Sequence, residues 1–161
     1  MTTLQPVRGT HDLLPLEHRK HSYIIDAARK VAASYGFLEM ATPLLEFKEV
    51  FKRTLGDVSD IVTKEMYEIV KRGDEEIVLR PEGTAGIARA VMSNGLTQSM
   101  PLKFFYEGPM FRYERPQKGR LRQLHQIGAE LFGVSDSMGD VEVIALAFDI
   151  LKVLGLSQHV T

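Results

Sequence analysis

Apolar positions along this chain recur at two spacings, and the alternation between them outlines the fold. Pro15 suits the first turn of a helix, and Ile24, Ala28, Val31, Ala32 and Tyr35 then return every three or four residues before Gly36, which predicts an amphipathic helix. FLEMATPLLE, Phe37 to Glu46, is short and extended, and Pro43 confines it to a sheet edge or a kink. FKEVFKRTL reads as a short helix stopped by Gly56 and followed by a polar connection, GDVSD. MYEIVK and EEIVLR flank Arg72-Gly73-Asp74, the punctuation of a hairpin. Ala85, Ile87, Ala88, Val91 and Met92 mark a second helix ending at Asn94-Gly95. LKFFYEG, PMFRYER and LRQLHQIGAELFG form a second strand group, broken first by Gly108-Pro109 and then by PQKGR. Val141, Ile144, Phe148, Leu151 and Leu154 share one face of a last helix, closed by Gly155.

Hairpins and adjacent strands, with helices before, between and after them, predict an α+β fold in which an antiparallel β-sheet is flanked by helices, not a doubly wound parallel sheet. There is no internal repeat and no low-complexity tract. The tail LSQHVT follows a helix stop and reads as the start of an element cut short.

Composition narrows the picture. A chain of 161 residues, 44% hydrophobic and 25% charged, suits one domain with a sizeable core. Without cysteine it has neither disulfides nor thiolate metal ligands, and a reducing cytoplasm is the default expectation. The first residues, MTTLQPVRGTHD, contain no apolar run, and no window approaches the ~18 apolar residues of a membrane span. A net charge of -1 and a pI near 6.5 argue against general coating of nucleic acid, for which a pI above about 9 is usual. Yet FRYERPQKGRLRQLHQ, Phe111 to Gln126, holds five Lys/Arg residues against one acid, Glu114. That charge is local and aimed at one anion.

Strand alternation sorts the last strand into two faces. Arg122, Leu124, Gln126, Gly128, Glu130 and Phe132 share one; Gln123, His125, Ile127, Ala129 and Leu131 share the other. Gln126 and Glu130 lie ~13 Å apart on the first face at about 3.3 Å per residue, with Gly128 leaving space between them. If the preceding strand pairs antiparallel through PQKGR, Arg112 joins that face, offering a fork of donors suited to phosphate or carboxylate. The ordinary reading of such charges is a solvated cross-strand pair. The concentration of polar groups beside a glycine and a basic loop favours a site. Arg80-Pro81-Glu82-Gly83-Thr84 precedes a helix whose free N–H groups Glu82 and Thr84 could simply cap; alternatively, Glu82 receives an ammonium group.

Four stretches together resemble the class II aminoacyl-tRNA synthetases, most closely the histidyl-tRNA synthetases. RGTHDLLP (Arg8 to Pro15) is similar to their N-terminal signature, GFLEMATPLLE (Gly36 to Glu46) to motif 1, LRPEGTAGIARA (Leu79 to Ala90) to the amino-acid-binding turn, and Tyr106 to Gly133 to motif 2. The resemblance implies a cytoplasmic homodimer built through motif 1, with ATP, Mg²⁺ bound with the ATP, L-histidine and the histidine tRNA as ligands. It implies that Arg112 is catalytic, holding the α-phosphate of ATP and the histidine carboxylate. Glu114 and Arg120 then serve the adenine and outer phosphates. Glu82, Gly83, Thr84 and Gln126 belong to the site of the substrate α-amino group, and Glu130 accepts from the imidazole. The local charge is thereby matched to a triphosphate, stabilised by positioning and electrostatics with no protein nucleophile.

The resemblance breaks in two places. Leu124 stands where the family usually stacks a phenylalanine on adenine, forgoing about 0.5–1.5 kcal/mol of aromatic contact. Nothing resembles motif 3, the second histidine-binding stretch or the anticodon-binding domain. Residues 1–161 are therefore expected to be the N-terminal part of the catalytic domain, unable alone to complete either half-reaction. Two rival readings are a histidine-sensing regulatory subunit of ATP phosphoribosyltransferase, which shares the fold, and a single-strand nucleic-acid module using Phe104, Phe105, Tyr106, Phe111 and Tyr113. The intact run from Glu114 to Arg120 favours the synthetase over the first, and core packing of those aromatics opposes the second. His18 and His21 read as surface residues rather than a metal site, His125 as a satisfied structural histidine, and the seven methionines as core filler.

Overall fold

The computed structural model describes residues 3–55, 65–69 and 75–160. The predicted Gly56 stop, the GDVSD connection and the Arg72-Gly73-Asp74 turn lie outside the described residues. In chain order the elements are α1 (Pro15–Ser34), β1 (Leu38–Glu39), β2 (Leu45–Phe47), α2 (Lys48–Leu55), β3 (Tyr67–Glu68), β4 (Ile77–Leu79), α3 (Thr84–Ser93), a 3₁₀ turn (Leu96–Ser99), β5 (Leu102–Phe111), β6 (Gln123–Phe132) and α4 (Ser137–Val153). Among the described residues two three-stranded sheets form, ordered β1-β5-β6 and β2-β4-β3. The α+β expectation holds, with one addition: β1 pairs parallel to β5, Leu38 opposite Phe104.

Contacts group the chain into two units. The first draws on Met1–Leu13, Thr42–Ala90 and Gly108–Gln126. Here β4 is the central strand, antiparallel to β2 (Leu45 opposite Leu79) and to β3 (Tyr67 opposite Leu79). Its core is Phe51, Met66, Val78 and Ala85, with Val50 against them. Glu46 points inward at 7% exposure and is neutralised by an ion pair with Arg89. A buried carboxylate demands such a partner, because desolvation without one costs several kcal/mol.

The second unit draws on Leu14–Ala41, Val91–Glu107 and Ile127–Thr161. Ala28 and Ala32 of α1, Phe37, Phe105 of β5 and Leu146 of α4 form its core, with Ile127 and Ala129 packed against it. Pro15 opens α1, where its missing N–H is harmless, and Gly36 follows it at φ +78°. The Tyr35 hydroxyl at the end of α1 donates to Asp149 of α4 at 2.6 Å. Asp136 caps α4 by accepting from the Met138 N–H at 2.9 Å, which starts the helix four residues before the first apolar position of its predicted stripe.

Two expectations are corrected. FLEMATPLLE is not one extended segment: β1 and β2 belong to different sheets, divided around Pro43. Gly108-Pro109 does not break a strand, since β5 runs through it from Leu102 to Phe111. Spacing leaves the buried face of α4 open: the face with the predicted stripe is largely exposed, Ile144 at 68% and Phe148 at 52%, while Leu146 at 1% faces the core.

Candidate active site and family membership

The site in the first unit is built around the turn that links β4 to α3. Arg80 fixes the approach: its guanidinium donates to the Thr42 carbonyl at 2.9 Å and to the Pro109 carbonyl at 3.1 Å. Gly108 makes room for it. At φ +150° that residue adopts backbone that L side chains rarely tolerate, and a Cβ there would stand 2.5 Å from Arg80 Nη2. Pro81 ends sheet pairing, and Glu82 then caps α3, its carboxylate accepting from the N–H of Thr84 at 2.7 Å and of Ala85 at 2.9 Å. The capping reading of Glu82 is therefore realised in the fold. Thr84 is the first residue of α3.

Arg112 and Gln126 clasp the same turn. Arg112 Nε donates to the Pro81 carbonyl at 3.0 Å, and Gln126 Oε1 accepts from the Gly83 N–H at 3.1 Å. Both contacts are possible because β5 and β6 are neighbours: the Arg112 N–H donates to the Arg122 carbonyl, and Gln117 and Arg120 form an antiparallel bridge within the connecting loop. The structure thus brings Arg112 and Gln126, expected on one face, together at the turn that carries Glu82 and Gly83.

Beyond Arg112 lies a cavity of about 450 Å³ lined by Glu65, Arg112, Glu114, Gly119, Arg120, Leu121 and Leu124. Glu114 is its acid. Arg120 Nη1 stands 3.6 Å from Glu114 Oε2 and Arg112 Nη1 3.9 Å from Oε1, so both guanidinium groups attract it without a close bond. Among the described residues Glu114 Oε2 is buried and accepts no hydrogen bond. An acceptor left in that state calls for a donor from a ligand or water, since an unsatisfied buried oxygen costs about 1–3 kcal/mol. Arg122 does not line the cavity; its guanidinium lies 4.3 Å from the Tyr113 ring centre and donates to the Glu114 carbonyl, holding the loop base. Arg115 and Lys118 are exposed. Of the five basic residues in the stretch, two face the cavity and one braces it.

Glu130 belongs to the second unit. Its Oε1 lies 3.2 Å from the Tyr106 hydroxyl. The space expected above Gly128 is not empty, because the Tyr106 ring and hydroxyl occupy the position a Cβ would take. Sequence reasoning missed Glu65 and the bracing roles of Arg80 and Arg122, none of which spacing alone reveals. His125, expected within the apolar side, is exposed and lines a smaller hollow with Thr10, His11, Asp12, Leu13 and Gln123. Among the described residues no group of three or more His, Asp or Glu side chains could hold a metal ion, and no helix is long and apolar enough to cross a membrane.

The family model for histidyl-tRNA synthetase matches residues 9–161. A histidine–tRNA ligase of Gluconobacter oxydans (strain 621H) is 59% identical over 161 residues, all of this chain and 39% of that protein. The apo histidyl-tRNA synthetase of S. aureus superposes with a TM-score of 0.78 at 33% identity, covering 96% of this chain and 35% of that one. A Bacillus halodurans C protein described as an ATP phosphoribosyltransferase regulatory subunit/histidyl-tRNA synthetase superposes with a TM-score of 0.82 at 31% identity, over 98% of this chain and 39% of that one. These likenesses place the fold among the aminoacyl-tRNA synthetases, which are ligases. The chain belongs to the histidyl-tRNA synthetase family, and it spans 37–39% of the length of the curated relatives it matches.

Proposed function

We propose that this chain carries the amino-acid turn and the ATP loop of a histidine–tRNA ligase, which activates L-histidine with ATP as the adenylate and transfers it to the histidine tRNA. One observation carries the reading: a single guanidinium, Arg112, both holds the Pro81–Gly83 turn and lines the cavity of Glu114, Arg120 and Leu124. An amino acid at the turn and a nucleotide in the cavity would meet at that residue. Its positive charge then lies where the histidine carboxylate attacks the α-phosphate, and stabilising charge that develops there is the main service a protein gives such a displacement. Arg120 serves the outer phosphates, Leu124 offers an apolar surface to adenine, and the orphaned Glu114 oxygen suits the adenine amino group. Gln126, Glu82, Gly83 and Thr84 form the seat of the α-amino group, with Glu82 using lone pairs left over from its cap. Glu130 accepts from the imidazole. Mg²⁺ would arrive bound to the nucleotide, in a soluble, cytoplasmic homodimer whose motif 1 runs from Gly36 to Glu46.

Calorimetric titration of ATP and of L-histidine into the chain tests this. Arg112→Ala is expected to weaken both ligands at least about tenfold, the scale of one charge-assisted contact. Unchanged affinity for either would overturn the double role. The likeness to the Bacillus halodurans C protein supports a second reading, a histidine-sensing regulatory subunit; histidine binding without any ATP binding would favour it.

A further inference from the structure

We propose that the turn from Val7 to Thr10 and Arg122 form a positioning device for Glu114, aiming the carboxylate that selects the base of the nucleotide; this rests on the reading of Glu114 as the partner of the adenine amino group. RGTHDLLP, which carries this turn, lends no residue to the lining of the nucleotide cavity. Thr10 closes the turn, its N–H and its hydroxyl both donating to the Val7 carbonyl at 2.8 Å. The turn offers the Gly9 carbonyl to the start of β6, where it accepts from the Arg122 N–H at 2.7 Å. Gly9 has φ +87°, and a Cβ there would stand 2.8 Å from Arg122 Cγ and 3.0 Å from Cδ. Glycine thus gives the arginine stem its seat.

Arg122 in turn holds both ends of Arg112-Tyr113-Glu114. Its carbonyl accepts from the Arg112 N–H at 2.9 Å, its Nε donates to the Glu114 carbonyl at 3.2 Å, and its guanidinium lies 4.3 Å from the Tyr113 ring centre. Tyr113 has anchors of its own: its N–H donates to the Glu65 carbonyl at 2.6 Å, and its ring meets that of Tyr67 edge-on, 5.2 Å between centres. Arg122 does not line the cavity, so it acts through the backbone from which the Glu114 carboxylate hangs. Aim matters because an acceptor reads a base only within hydrogen-bond reach, about 3 Å from the donor. Adenine brings an amino group to the carboxylate; hypoxanthine, of the same shape, brings a carbonyl oxygen that the carboxylate repels. A polar pocket rejects such an isostere only while its own groups stay in place.

Calorimetric titration of ATP and of inosine triphosphate into the full 161-residue chain tests the device, since the two nucleotides carry the same phosphates and differ where the amino group stands. Wild type is expected to prefer ATP at least about tenfold, the scale of one hydrogen bond to a charged group. Arg122→Met keeps the stem against Gly9 without the guanidinium, and is expected to reduce that preference to less than about threefold. Losing a positive charge weakens both nucleotides alike, so the ratio reports aim and not attraction. Arg122→Lys, which keeps stem and charge without the planar fork, and Gly9→Ala, which displaces the stem, are expected to lower the same ratio. Urea unfolding of each variant verifies that the titrated chain is folded. A wild-type preference retained in Arg122→Met or in Gly9→Ala would overturn the proposal, as would affinity for both nucleotides falling in parallel. A wild type that binds the two nucleotides equally, or neither, would overturn the reading of Glu114 and the proposal with it.

Discussion

Glu82 illustrates how one side chain can serve fold and ligand together. Its two oxygens accept from the Thr84 and Ala85 amides, satisfying donors that every helix start leaves free. Glu82→Ala is expected to cost about 0.5–2 kcal/mol through loss of that cap, measured by urea unfolding. Gly128→Ala acts differently: it drives a methyl group into the Tyr106 phenol, and overpacking of this kind is expected to cost about 1–3 kcal/mol by the same measurement. The roles of Glu82 as a cap and of Arg112 and Gln126 as residues of one face were legible from the sequence, because capping and strand alternation are local. The filling of the space above Gly128 was not. A glycine announces a missing side chain, while the group that takes its place comes from β5, more than 20 residues earlier, through a pairing no local pattern specifies.

At the level of elements, α4 shows where periodicity loses its power. The helix is apolar around most of its circumference, so spacing identifies a helix without choosing the face that is buried. Leu146 is the residue in the core, and Leu146→Ala is expected to cost about 2–5 kcal/mol. Ile144→Ser, on the exposed stripe, is expected to stay within about 0.5 kcal/mol of wild type. Denaturant midpoints distinguish the two. The joint between α1 and α4 adds a pH dependence. The hydrogen bond to Asp149, then burial, then the charges of Asp149 and Glu142 raise the Tyr35 pKa above its ordinary value. A raised folded-state pKa stabilises below the unfolded value of about 10 and loses that contribution as pH rises through the folded value. The unfolding midpoints of wild type and Tyr35→Phe are therefore expected to differ at neutral pH and to converge above about pH 10. The division of FLEMATPLLE between two sheets was equally hidden, since Pro43 marks a kink without saying where each half pairs.

At the scale of the molecule, the described residues form two cores that share no residue, one around Phe51 and Val78 and one around Phe105 and Leu146. Its net charge of -1 supplies no long-range pull on an anion, so attraction of a nucleotide depends on Arg112 and Arg120 at short range. With 37–39% of the length of its curated relatives, the isolated chain is expected to show no histidine-dependent ATP/pyrophosphate exchange, and measurable turnover would refute that. The family was legible in the sequence because four stretches occur in the right order. Which side chains brace the loop was not, because Arg80 and Arg122 act through contacts that depend on the folded turn.

The bond between Arg112 and the Pro81 carbonyl has a thermodynamic corollary. On the proposed reading, whichever ligand arrives first orders a guanidinium that the other also requires, and the second then binds with less conformational freedom left to lose. Such cooperativity is reciprocal: nucleotide must sharpen amino-acid binding by the same factor that amino acid sharpens nucleotide binding. Paired titrations in the presence and absence of the other ligand give that factor twice over, and Arg112→Lys, which keeps the charge without the fork, is expected to bring it close to unity.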